Sequence, residues 1–268
     1  MNFLNTICLV FKLLAVVMLL QASALAEDTS LLNDLNGDKE IKILCFGDSI
    51  TSGVGDGTGV GDFVERAPSV RGGYPARLAN LLGVIVTNAG LNGEVFTEGG
   101  LTRLVNILRS SDADTVTIMA GTNDAVFQVN SSAFQRDLQR AINIVHALGK
   151  RVVLITLPAP CCNHSGLALF TSTYTAAIRR LAALNAIQLA DIERAWKSTC
   201  RNLKECELYN LPEGLHPNSR GYKVISQVLA ATFLGIDIFE PEGAELLEDA
   251  LGLEHGTVIV ESDIVTIQ

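Results

Sequence analysis

Between residues 41 and 233 the chain alternates short apolar runs, several closed by Gly, Asn or Pro, with longer segments in which apolar residues recur at helical spacing. That alternation constrains the fold most, because strands joined by helical crossovers pair in parallel and need helices over both faces of their sheet. The strand-like runs are residues 41–46, 84–87, 115–120, 151–157 and 187–190. Helices are expected over residues 74–82, 101–109, 132–148, 169–184 and 221–233. In the second, Leu101, Leu104, Val105 and Leu108 share a face. The pattern predicts an α/β fold, a flavodoxin-like three-layer sandwich with a five-stranded parallel sheet. With 268 residues, 48% of them hydrophobic, one such domain over residues 41–235 is the expected size.

The flanks read differently. Residues 1–26 combine a weakly charged start, the single base Lys12, an apolar run and Ala24-Leu25-Ala26 before Glu27, the pattern of a cleaved secretory signal. A retained membrane anchor is the alternative, since residues 3–20 are nearly continuously apolar apart from Lys12. Cleavage would leave a secreted or periplasmic protein with no stable membrane span. Residues 27–40 read as a linker. Within it Asp34, Asn36 and Asp38 resemble the start of a calcium loop, but Lys39 stands where the loop needs Gly and Cys45 where it needs Glu. Residues 236–268 form an acidic extension, expected as a short helix followed by a hairpin over 257–267. Nine acids and no Lys or Arg lie from Gly235 onward, so the formal net charge of -9 belongs to this tail and the remainder is neutral. A chain without a clustered basic surface is not a nucleic-acid binder.

Signal removal would leave Cys45, Cys161, Cys162, Cys200 and Cys206. Cys45 lies in an apolar strand and is expected as a buried free thiol. Two competing pairings are expected for the rest: Cys200 with Cys206, and one of Cys161 or Cys162 with a distant partner. No C-x-x-C pair and no His at ligand spacing accompanies them, so neither zinc nor any other metal or cofactor is expected.

In an open parallel sheet, ligands bind beyond the carboxyl ends of the strands. The first strand is followed by Gly47-Asp48-Ser49-Ile50-Thr51, the second by Asn88-Ala89-Gly90, and the third by Gly121-Thr122-Asn123-Asp124. Ahead of the last long helix stands Glu213-Gly214-Leu215-His216-Pro217. A hydroxyl nucleophile, small backbone donors, an amide and a carboxyl/imidazole pair thus gather at one edge, the inventory of acyl transfer. The Gly-rich stretch 52–73 fits neither G-x-x-x-x-G-K-[ST] nor G-x-G-x-x-G. It reads as a substrate-rim loop or as a plain flexible one.

These blocks, in this order across residues 41–235, resemble the motifs of SGNH (GDSL-type) hydrolases. The resemblance implies a serine esterase with Ser49 as nucleophile and His216 as general base. It also implies an oxyanion hole made of the Ser49 and Gly90 backbone N–H groups and the Asn123 amide. The family carries Asp three residues before the catalytic His; here the residue is Glu213, which either completes a triad or leaves a Ser-His dyad. Asp48 and Asp124 are read as braces for their loops, and Asn88 as ordering its own. His146, His164 and His255 lack a matching context and are read as structural.

The expected partner is a small-molecule, lipid or glycan ester. Family members act on simple esters, acetylated carbohydrates, lysophospholipids and thioesters, and fold does not choose among them. A single Trp (Trp196) and few aromatics in the 52–73 loop point toward short acyl or aryl esters. A non-catalytic binding module on the same fold is the competing reading, motivated by Glu213 and the acidic tail.

Overall fold

The computed structural model describes residues 30–57, 72–200, 202 and 204–260. The signal segment, most of the Gly-rich loop and the second half of the expected hairpin lie outside the described residues.

Five strands form one parallel sheet in the order β2-β1-β3-β4-β5. They are β1 (Lys42–Gly47), β2 (Ile85–Gly90), β3 (Thr115–Met119), β4 (Arg151–Ile155) and β5 (Gln188–Ala190). Helices α1 (Ser49–Ser52), α2 (Gly73–Leu82), α3 (Gly100–Leu108), α4 (Thr122–Val126) and α5 (Ser131–Ala147) come from the first three crossovers. They are followed by α6 (Ala168–Leu184), α7 (Ile192–Thr199), α8 (Ser219–Leu234) and α9 (Gly243–Leu251). Helices lie on both sides of the sheet, as its pattern demands. On one face α2 packs against α8; α3, α5 and α6 pack in a row. No helix among the described residues is long and apolar enough to cross a membrane.

Burial explains which runs form which strands. All of β3 is buried, as a central strand sandwiched by helices must be, whereas the edge strand β2 keeps Ile85, Thr87 and Asn88 exposed. The register sets Gly47 opposite both Gly90 and Met119, so the three strand ends nearest the site finish level with one another. Gly47 has no alternative there: a Cβ would stand 2.3 Å from the Met119 carbonyl and 2.2 Å from Thr51 Oγ1.

The described part of the expected linker is tied to the domain rather than loose. Leu31 N–H donates to Phe233 O at 2.7 Å and Leu35 N–H to Asp114 Oδ1 at 2.7 Å. Asp34 closes a local turn by accepting from Gly37 and Lys39, which uses the carboxylate the calcium-loop comparison singled out. At the other end, α9 is the short acidic helix, but residues 257–260 form no strand. They are held by Gln227 of α8, whose amide donates to Thr257 O while its carbonyl accepts from Ile259 N. Buried Glu248 accepts from Gly256 and Val258.

The cysteines differ from expectation in one pairing. Cys200 bonds Cys206, but Cys161 bonds its neighbour Cys162 rather than a distant partner. Cys45 is a buried free thiol, its pKa pushed up to about 12 by burial, and is therefore inert as a nucleophile.

Candidate active site

β1 ends at Gly47 and the chain turns at once into α1, a single turn that lifts Ser49 onto the carboxyl edge of the sheet. Asp48 caps that turn by accepting from Ile50 N–H at 3.0 Å. Ser49 Oγ lies 2.9 Å from His216 Nε2, across 167 residues of sequence. His216 Nδ1 lies 2.8 Å from Glu213 Oε1. A carboxylate only accepts, so Nδ1 carries the proton and Nε2 presents its lone pair to the serine.

Glu213 is clamped. Its Oε2 accepts from the backbone N–H groups of Leu215 and His216, each at 2.8 Å. Burial opposes its charge, but the hydrogen bond and the charge of His216, with the two backbone donors, outweigh it and hold the carboxyl below the ordinary range. The loop is fixed from below by buried Asn210, whose amide donates to the carbonyls of Gly55, His216 and Pro217. Gly214, at φ +77, allows the close approach to residue 161: Cys161 N–H donates to Gly214 O at 2.8 Å, and a Cβ on Gly214 would stand 2.3 Å from the Cys161 carbonyl.

A cleft of about 400 Å³ opens over these groups. Beside Ser49 and His216, it is lined by Gly93, Asn123, Phe127 and His164. Asn123 Nδ2 donates one proton to Glu94 O at 3.0 Å, which orients the amide and leaves its second N–H for the cleft. The N–H groups of Ser49 and Gly93 have no acceptor among the described residues.

Gly90 does not take the role assigned to it from sequence. It pairs with Gly47 inside the sheet, its N–H donates to Asn88 Oδ1 at 2.9 Å, and it does not line the cleft. Its lack of a side chain serves packing instead, since a Cβ would meet Ser52 N at 2.1 Å. The strand simply runs farther than its apolar stretch, and the segment that reaches the cleft is Asn92-Gly93. That segment is tethered by Leu91 N–H to Gly47 O at 3.0 Å and by Ser52 Oγ to Asn92 Oδ1.

The remaining charged neighbours act as braces. Asp124 accepts from the N–H groups of Phe96 and Thr97 and from Thr97 Oγ1, holding the 3-10 turn Phe96–Glu98. Arg103 pairs with Glu94 and donates to the carbonyls of Ala89 and Gly47, tying β1 to β2 at the site. Neither Arg103 nor Glu94 was singled out from sequence, because their value lies in a bridge between segments that sequence does not juxtapose. Among the other histidines, His255 pairs with Glu248 at 3.4 Å in the tail and His146 lies near the end of α5, whereas His164 does not fit the structural reading: its ring lines the cleft. No group of metal-holding residues occurs among the described residues.

A nucleophile-imidazole-carboxylate chain at the carboxyl edge of a flavodoxin-like sheet places the molecule among the α/β hydrolytic folds. The chain belongs to the GDSL-like lipase/acylhydrolase family, which it matches over residues 45–224, and is thus a GDSL-family hydrolase. No curated protein matches it by sequence. Among solved structures it is similar to a lipase/acylhydrolase from Enterococcus faecalis, with 26% identity, a TM-score of 0.57, and 73% of this chain and 96% of that one covered. It also shares its fold with an acetylxylan esterase from Geobacillus stearothermophilus, at 19% identity and a TM-score of 0.60 over 76% of this chain and 98% of that one. A member of the lipolytic G-D-S-L family from Veillonella parvula gives 22% identity and a TM-score of 0.57 over 70% and 95%.

Proposed function

We propose that the protein is an exported serine esterase that cleaves carboxylic esters through an acyl-enzyme on Ser49. The observation that carries this reading is the unbroken chain Ser49 Oγ, His216 Nε2, His216 Nδ1 and Glu213 Oε1, with links of 2.9 and 2.8 Å beside a cleft of small-ligand size.

In this mechanism Ser49 Oγ attacks the ester carbonyl carbon while its proton passes to His216 Nε2. The electron pair of the C=O moves to oxygen, and the oxyanion is met by the N–H groups of Ser49 and Gly93 and by the second N–H of Asn123. As the tetrahedral intermediate collapses, His216 gives its proton to the departing alcohol oxygen and the acyl group stays on Ser49. Water, deprotonated by His216, then attacks the acyl carbon; Ser49 Oγ leaves and recovers the proton, releasing the acid. Glu213 holds the imidazole in the required tautomer and stabilises the imidazolium. The Ser-His-Glu arrangement weighs against the binding-module reading on one of its two grounds, since Glu213 reaches the imidazole despite its extra methylene.

The substrate is a short acyl ester, in keeping with the modest cleft and with Trp196, the one Trp, being buried in the core rather than serving as a platform. Export rests on residues 1–26 and on the two disulfides, which persist in oxidising compartments. The test is labelling of the purified protein by a fluorophosphonate, with hydrolysis of p-nitrophenyl acetate followed in parallel. Both are expected in wild type and both should vanish in Ser49→Ala; folded wild type that takes no label would refute the reading.

A further inference from the structure

His164 is an imidazole in the cleft whose chemistry the proposed reaction leaves unused. It stands in the 3-10 segment Cys162–Leu167, which together with Cys161 is bonded to the catalytic loop at two backbone points. Cys161 N–H donates to Gly214 O, Asn163 N–H donates to Pro212 O, and His164 N–H closes the turn onto Cys161 O. The adjacent disulfide Cys161–Cys162 lies under this turn, so the imidazole is presented from an anchored backbone.

The ring itself is oriented by a single strong contact. His164 Nδ1 is 2.6 Å from the backbone carbonyl of Glu213. A carbonyl can only accept, so Nδ1 holds the proton and Nε2 carries the lone pair. Nε2 has no partner among the described residues, while the ring lines the cleft and its side chain is 38% exposed. The result is a fixed hydrogen-bond acceptor inside a cleft that also presents the donors Ser49 N–H, Gly93 N–H and the Asn123 amide.

The position of His164 decides which half of the ester it faces. Since His216 must hand its proton to the leaving oxygen, the alcohol portion lies on the His216 side, opposite the donors that receive the oxyanion. His164 is bonded through the Glu213 carbonyl to the loop that carries His216, whereas Asn123 and Phe127 belong to the segment after β3.

Building on the esterase reading, we propose that His164 is a specificity-determining residue whose Nε2 accepts a hydrogen bond from a free hydroxyl on the alcohol portion of the substrate. The site then selects short acyl esters of alcohols that keep a further free hydroxyl over esters of plain alkanols. A site that pairs a substrate hydroxyl discriminates against the analogue lacking it, because its own polar atom is left unsatisfied. Partial exposure of the ring limits the effect to roughly tenfold, one ordinary hydrogen bond.

The test compares three esters by pH-stat at pH 8 in wild type and His164→Asn. They are 2-hydroxyethyl acetate, its near-isostere propyl acetate, and ethyl glycolate, which carries its hydroxyl on the acyl side. Asn retains a donor for the Glu213 carbonyl and deletes the Nε2 acceptor. The quantity read is the ratio of kcat/KM for 2-hydroxyethyl acetate to that for propyl acetate within each enzyme. The ratio should be about ten in wild type and fall below about two in His164→Asn. A purely structural role would lower both esters together and leave the ratio unchanged, which overturns the proposal. Collapse of a glycolate preference in place of the hydroxyethyl one overturns the alcohol-side assignment. Failure of wild type to hydrolyse any of the three, with no fluorophosphonate label on Ser49, would instead strike the esterase reading itself.

Discussion

Replacing Glu213 by Gln tests the triad more sharply than removing it. The carboxylate accepts three hydrogen bonds at once: Oε1 from His216 Nδ1, and Oε2 from the N–H groups of Leu215 and His216, all at 2.8 Å. A glutamine has one acceptor oxygen and one donor nitrogen, so it cannot satisfy both sides. With its oxygen toward the two backbone donors, its NH₂ faces His216 Nδ1 and forces the ring into the tautomer with the proton on Nε2. That proton then points at Ser49, and the base is lost. With the amide reversed, the NH₂ meets two N–H groups, and the loop must shift to relieve the repulsion. Locking the imidazole in the wrong tautomer costs about 10⁴ in kcat in serine proteases, or about 5 kcal/mol of barrier.

We therefore expect Glu213→Gln to lower kcat for p-nitrophenyl acetate by roughly 10³- to 10⁴-fold. KM should change little, since the lost interaction strengthens as the imidazolium forms. Circular dichroism and the thermal midpoint would confirm that the variant is folded. Retention of more than about a tenth of the wild-type kcat would refute the reasoning, because a Ser49–His216 dyad would then suffice. The lowered pKa of Glu213 adds a pH signature. Its folded-state value lies below its unfolded one, so its stabilisation is present above the ordinary carboxyl range and is lost as pH falls through the folded value.

Other expectations follow from the same geometry. Asn123→Ala removes one oxyanion donor and should reduce kcat by about 10²- to 10³-fold in a steady-state assay, with Ser49 labelling slowed but not abolished; an unchanged kcat would exclude the amide from the oxyanion hole. Burial raises the pKa of Asp48 from 3.8 to about 6, although the Ile50 N–H and His216 pull it down. A carboxyl raised on folding stabilises below its unfolded pKa and loses that contribution as pH climbs toward the folded value, a span worth roughly 3 kcal/mol at most. Asp48→Asn should accordingly flatten the decline in urea stability between pH 4 and pH 7; a decline as steep as in wild type would refute the assignment. Gly214→Ala must hold an L-residue at φ +77 with its Cβ 2.3 Å from the Cys161 carbonyl. The backbone strain alone costs about 1–2 kcal/mol, so calorimetry should show a midpoint lower by roughly 4 °C or more, with kcat falling as the loop shifts; an unaltered midpoint would be inconsistent with this contact.

The sheet was legible because parallel strands buried on both faces leave a local signature, as in Thr115–Met119 and Arg151–Ile155. Ser49, Asn123, Glu213 and His216 were legible as the residues that follow those strands or precede the last long helix. What stayed hidden depends on register and loop crossing. Gly90 and Gly93 both follow the second apolar run, and only the pairing of Gly90 with Gly47 places the first in the sheet and the second in the cleft. The cleft-facing His164 depends on the 161–164 segment lying against residues 212–214, a contact between stretches about fifty residues apart.

The same loop explains how Glu213 reaches the imidazole of His216 from three residues away. A carboxylate three residues before the imidazole must span the turn and still meet Nδ1 in the ring plane. Glu213 folds back over Gly214, whose left-handed backbone turns the N–H groups of Leu215 and His216 toward Oε2. The extra methylene is taken up in that return, and Oε1 is left pointing at the imidazole. The longer acid thus depends on the glycine that follows it and on the Cys161 carbonyl packed against that glycine. Glu213→Asp would shorten the reach within the same turn, so the carboxylate could keep its backbone donors or His216 Nδ1, but not both without movement of the loop.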